Sequence, residues 1–136
     1  MERVIKYYNK DRLTSIIKYD SVTREISVEN FSDFFLDTAF GNSLHPTWRE
    51  FEVFLQTRVI PRGRYKIKEY LEEKGISVYD PYLICRKTHG VMAHDYHWMQ
   101  FDDEPNLSWE NDIVYKYTNW EDLLKELKEK KDKESV

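Results

Sequence analysis

Four residues in the second half of the chain, Cys85, His89, His94 and His97, are of the types that hold zinc. Cys85 and His89 are four apart, which puts them on one face of a helix, and His94 and His97 lie close in sequence. These two short spacings form no recognised zinc pattern, and Gly90 turns the chain between them. The alternative is a buried thiol with surface or hydrogen-bonded histidines, and no metal site is expected. Cys85, His89 and Asp95 also have the residue types of a nucleophile, a base and an orienting acid. Nothing nearby marks a strained elbow or an oxyanion hole, so a thiol enzyme is not expected. The four glycines fall in no phosphate-loop spacing. The chain therefore reads as non-enzymatic and without a cofactor.

Two charged stretches carry more information. Arg58, Arg62, Arg64, Lys66, Lys68 and Lys74 lie within one short segment, against Glu69, Glu72 and Glu73. The arginines around Pro61 could hold a phosphate or a partner's carboxylate at the start of a helix. The alternative is a solvated helix face with internal pairs such as Lys68–Glu72. The second stretch runs from Asp95 to Asp112. It holds Asp95, Asp102, Asp103, Glu104, Glu110 and Asp112, no Lys or Arg, and the aromatics Trp98, Phe101 and Trp109. Acidic groups around aromatic anchors suit a protein partner with a basic groove; an ordinary acidic loop is the other reading.

The elements that must position these residues follow from periodicity. From Arg3 to Asn30 apolar residues alternate, and Asp20-Ser21 sits between two β-branched runs as a hairpin turn, giving two or three antiparallel strands. Phe31, Phe34, Phe35 and Phe40 point to a short helix or packed turn ending at Gly41-Asn42. Thr47 and Glu50 form a capping box before a helix that places Trp48, Phe51, Phe54 and Leu55 on one face. Pro61 interrupts it. A second helix over about 64–74 carries Ile67, Tyr70 and Leu71 and closes at Gly75. Asp80-Pro81 opens a third, with Leu83 and Ile84, that stops near Gly90. The aromatic run 94–101 packs back on the core, with strand character. Ile113, Val114, Tyr115 and Tyr117 read as another strand. Trp120, Leu123, Leu124 and Leu127 line one face of an amphipathic C-terminal helix, with a frayed tail over 130–136. The expected fold is one α+β domain over 1–136: a small N-terminal antiparallel sheet of two to four strands, packed against three to five short helices.

The 136 residues suit one core, and 21 aromatic side chains (Tyr 10, Phe 7, Trp 4) can fill it. The net charge of −4 argues against direct nucleic-acid binding, including a helix-turn-helix reading of 47–57 and 64–74. A single cysteine, a polar N-terminus and no long apolar run point to a cytoplasmic protein without a membrane partner.

Arg58, Ile60, Pro61 and Arg64, the helix ending at Lys74-Gly75, and Gly90, Asp95, Tyr96 and Trp98 together resemble the N-terminal region of HipA-like Ser/Thr kinases of Firmicutes. Leu107-Ser108-Trp109-Glu110 is similar to a further segment of that family, and the likeness spans residues 3–117. No phosphotransfer activity carries over, because the kinase domain itself has no counterpart here. The resemblance implies a regulatory module that binds and restrains a separate HipA-like kinase, as in split toxin–antitoxin systems. The alternative expectation is a mobile-element inhibitor of a host defence nuclease, of the anti-CRISPR type. The expected contact surface is Arg58, Arg62 and Arg64 with Asp95, Tyr96, Trp98, Asp102, Asp103, Glu104 and Trp109.

Overall fold

The N-terminal alternation produces three consecutive strands, β1 (Arg3–Asn9), β2 (Arg12–Asp20) and β3 (Glu25–Asn30). In this computed structural model, which describes residues 1–114, they form an antiparallel meander. β4 (His97–Phe101) then joins the free edge of β1, giving the order β3-β2-β1-β4. The sheet is antiparallel throughout. The 20–25 turn works as the sequence implies: Asp20 Oδ1 accepts from the backbone N–H of Val22 and Thr23.

Ile5, Tyr7, Ile17 and Tyr19 project from one face of the sheet and are buried. With Ile26 and Val28 they meet Phe51, Phe54 and Leu55 of helix α1 (Trp48–Thr57). Thr47 caps that helix, accepting from the Glu50 N–H at 3.2 Å. The reciprocal half of the box does not form. Glu50 accepts instead from Ser43 Oγ at 2.6 Å, tying the preceding loop to the helix. Helix α3 (Pro81–Thr88) is capped as its sequence predicts, by Asp80 Oδ1 on the N–H groups of Tyr82 and Leu83. It buries Ile84 and Cys85 completely, while Leu83 turns outward.

Two expectations are corrected. The helix expected over 64–74 is shorter: α2 spans Ile67–Glu73. Arg64 and Tyr65 belong to a turn that follows Pro61, and Lys66 takes the left-handed conformation (φ 61°) immediately before the helix. Of the strand expected at 113–117, the described residues Ile113 and Val114 are not extended. Ile113 ends a π-helical turn over Trp109–Ile113, Val114 follows it, and Tyr115 and Tyr117 lie outside the described residues. Ser108 explains the turn: its Oγ accepts from the Asn111 N–H, while its own N–H donates to Asp112. The phenylalanine segment after β3 forms a 3-10 turn over Phe35–Asp37. The C-terminal helix also lies outside the described residues.

β4 is buried along its whole length, on both faces. Met99 and Phe101 join the main core. Trp98 and Gln100 face the other way, where the Gln100 amide donates to Pro105 O and accepts from the Leu107 N–H. The chain after β4 therefore folds back across the second face of the sheet.

Gly90, just after α3, has φ +64°, and a Cβ there would lie 2.9 Å from Met99 Cε. Gly90→Ala is expected to destabilise by about 1–2 kcal/mol from the left-handed backbone alone. Gly63→Ala, with no atom within 4 Å of the new methyl and no positive φ, serves as the neutral control in the same chemical denaturation experiment.

Candidate functional site

Arg58 is the residue that ties the predicted site together, and it does so from inside. It stands just past the end of α1, only 5% exposed. Its Nη1 and Nη2 grip Asp95 at 2.6 and 2.9 Å, a fork-to-fork pair. Its Nε donates to Gly90 O and its Nη2 also donates to His97 O. One guanidinium thus joins the end of α1, the turn after α3 and the start of β4. Tyr7 lies under it, with its ring stacked on His97 at 4.9 Å.

The network continues through His97. Its Nε2 lies 3.1 Å from Asp37 O and 3.2 Å from Asp37 Oδ1; both are acceptors, so Nε2 carries the proton. Asp37 also accepts from Asn9 Nδ2 and Ser32 Oγ, and pairs with Arg12. Burial pushes the Asp37 and Asp95 carboxyls upward. The hydrogen bonds outweigh that in each case, from Asn9, Arg12 and Ser32 at one and from Arg58 at the other, and both sit below the ordinary aspartate value.

The other acidic residues expected to face a partner are also engaged within the chain. Asp102 accepts from Arg3 through both oxygens and from the Val4 N–H. Asp103 receives a bidentate Arg86 and a contact from Arg3, and Arg86 holds its carboxyl down at about 2. Glu104 accepts from the Phe101 N–H and from Gln100 Nε2, and lies 2.9 Å from His89 Nε2. These carboxylates brace β1, α3 and the turn after β4. Reversing their charge would break intramolecular pairs before it touched any partner.

Arg58 and Trp98 have no surface to offer. Trp98 is 1% exposed, stacked on Tyr8 and donating its indole N–H to Lys10 O at 2.7 Å. Arg62, Arg64 and Tyr96 are exposed. Tyr96 meets Trp109 edge-on at 5.8 Å and carries the Lys10 ammonium over its ring. The structure therefore divides the expected contact surface into a buried clasp, a braced acidic turn, and the arginine-bearing turn at 61–66.

The four candidate zinc or nucleophile residues separate. Cys85 is fully buried against Leu55 O, and burial pushes its thiol up to about 12, so it is not a thiolate. His89 faces Glu104, His97 faces Asp37, and His94 is largely exposed. Among the described residues, no group of three or more His, Cys, Asp or Glu could hold a metal ion. A cleft of about 480 Å³ lies between α1 and α3, with Tyr19, Trp48 and Tyr82 in its walls.

Sequence reasoning missed the surface that stands out most. Between β3 and α1, Phe31, Phe34, Phe35, Leu36 and Leu44 are 45–65% exposed. In their midst sits Asp37, buried and held by four neighbours. The signal was present as an aromatic run too dense for its short element, but a core role accounted for it equally well.

No known protein family, curated protein or solved structure matches the chain. Among the described residues no helix is long and apolar enough to cross a membrane.

Arg58→Met is expected to cost about 2–3 kcal/mol, because the half-buried Asp95 carboxylate and the Gly90 and His97 carbonyls all lose their donor. Asp37 and Asp95 set the sign of the acid response. Their pKa values are lower folded than unfolded, so the unfolded chain binds the protons first as pH falls. The stability they contribute is complete above the ordinary aspartate value of 3.8 and is lost as pH falls through it toward the folded values. Denaturation midpoints measured from about pH 6 to pH 2.5 should fall, and Asp37→Asn and Asp95→Asn should each flatten that slope.

Proposed function

We propose that this protein is a non-enzymatic regulatory module that acts by docking on a partner protein. The observation that carries this reading is the apolar patch on the segment joining β3 to α1. Phe34 is 60% exposed and Leu36 and Leu44 are each 65% exposed, yet Asp37 beside them is pinned by Asn9, Arg12, Ser32 and His97. Exposed clusters of this kind mark interaction surfaces. Holding the segment in place beforehand lowers the ordering cost of covering it.

The resemblance to the N-terminal region of HipA-like kinases supports a kinase of that type as the partner, restrained by the module in the cytoplasm. The buried, protonated Cys85 and the dispersed histidines support the absence of catalysis. The alternative, an inhibitor presenting an acidic face to a defence nuclease, draws less support. Asp95, Asp102 and Asp103 are each engaged by an arginine, so this part of the acidic stretch is answered within the chain.

The test is co-purification of the tagged protein with a HipA-like kinase from its own host. The wild-type chain should retain the kinase and lower its phosphotransfer rate. Phe34→Ser with Leu36→Ser should weaken capture about ten-fold or more at an unchanged melting temperature, since both side chains already face water. Capture indifferent to these substitutions would remove the patch, and a host kinase that is neither bound nor restrained would remove the kinase.

A further inference from the structure

Five of the eight arginines pair with a carboxylate of the chain, Arg49 with Glu52 among them. Arg3, Arg12, Arg58 and Arg86 are each paired with an aspartate. The turn after α1 and the first turn of α2 are different. Arg62, Arg64, Lys66 and Lys68 are all exposed, and their side chains form no ion pair or hydrogen bond with any described residue. The Lys68–Glu72 pair that helical spacing permits does not form. Arg62 lies over the Tyr79 ring at 4.8 Å and Lys66 near the Tyr65 ring at 5.7 Å, contacts that leave their N–H donors to solvent. Tyr65 itself is 86% exposed. In a chain of net charge −4, four unpaired cations and an exposed tyrosine fall within seven consecutive positions.

Behind this turn lies an open cleft of about 580 Å³, lined by Val59, Ile60, Tyr70 and Val91 and shared by Arg64 and Lys66. Its lining mixes these apolar side chains with charged ones. Glu69 and Glu73 also line it, and they discriminate between two kinds of anion. A nucleic-acid strand continuing past the turn would bring phosphates against these glutamates. A short acidic peptide segment can alternate charge with apolarity, setting carboxylates on the exposed cations and an uncharged side chain in the cleft beside Glu69 and Glu73.

We propose that the turn 61–68 and the adjoining cleft bind an acidic linear segment of a partner protein, with an apolar residue of that segment seated between Ile60 and Tyr70. This rests on the protein-docking reading and gives it a second, electrostatic contact, separate from the phenylalanine patch. Charge complementarity of this kind chiefly speeds and orients encounter, so the contact should be strongly salt-dependent.

The experiment is fluorescence anisotropy with a short labelled peptide of Asp and Glu carrying one central Phe. A single-stranded DNA oligonucleotide of equal charge serves as the comparison. The wild-type protein should bind the peptide in preference to the DNA, and more weakly as salt rises. Arg62→Glu with Arg64→Glu should lower peptide affinity about ten-fold or more. Arg62→Gln with Arg64→Gln, a gentler change, should lower it less, in the same direction. Phe34→Ser with Leu36→Ser should leave it unchanged. Equal or tighter binding of the DNA would overturn the proposal in favour of a nucleic-acid partner. No binding of the peptide, or binding indifferent to the arginine substitutions, would overturn it outright. Kinase capture that persists alongside such a failure would leave the phenylalanine patch standing, so the two readings fail separately.

Discussion

The fold depends on one buried cation. Arg58 leaves the end of α1 and is met by Asp95, by Gly90 O and by His97 O, three acceptors on the chain that connects α3 to β4. A buried guanidinium is tolerable only when its charge and its donors are answered, and each acceptor comes from a different part of that connection. The requirement fixes where α3 ends, how the chain turns at Gly90, and the point at which β4 starts its pairing with β1. His97 passes the constraint on to Asp37, and Asp37 to the segment bearing the exposed phenylalanines. The interior charge network and the outward apolar patch are thus two ends of one construction.

Much of the architecture could be read from the sequence, because it rests on local rules. Alternation gave the first three strands, the Asp20 turn gave the β2–β3 hairpin, and the Thr47 and Asp80 caps gave the starts of α1 and α3. The class, a small antiparallel sheet packed on short helices, follows from these. The errors have a common physical origin. Arg64 and Tyr65 looked helical by spacing, yet the Pro61–Gly63 turn sets the backbone there. Ile113 and Val114 looked like a strand by β-branching, yet Ser108 and Asp112 close a helical turn on each other.

The site was legible in its residues and illegible in their roles. Arg58, Asp95, Trp98 and the 102–104 carboxylates were singled out as a contact surface, and the structure places Arg58 and Trp98 inside and pairs the acids within the chain. Sequence does not show that acids and arginines far apart in the chain answer one another, as Arg3 and Asp102 do across 99 positions. Long-range pairing converts an apparent acidic surface into internal bracing. It also isolates the cations that have no such partner, and they remain on the outside as the feature to be explained.

The placement of β4 has a consequence for how the chain is made. β1 is the second-last strand across the sheet but the first to be synthesised, and its pairing with β4 joins positions 88 to 96 residues apart, from Asn9–His97 to Ile5–Phe101. A growing chain can close the β1–β2–β3 meander early, but the outer edge of β1 then waits, with its ladder groups unpaired, until the residues after Gly90 have been added. Contacts of such high sequence separation form late and slow the completion of a fold. An open, apolar strand edge is in the meantime a template for unwanted pairing. During that interval the half-finished sheet is more vulnerable to aggregation than the finished one, and the arrival of Asp95 at Arg58 brings the missing strand to the edge that needs it.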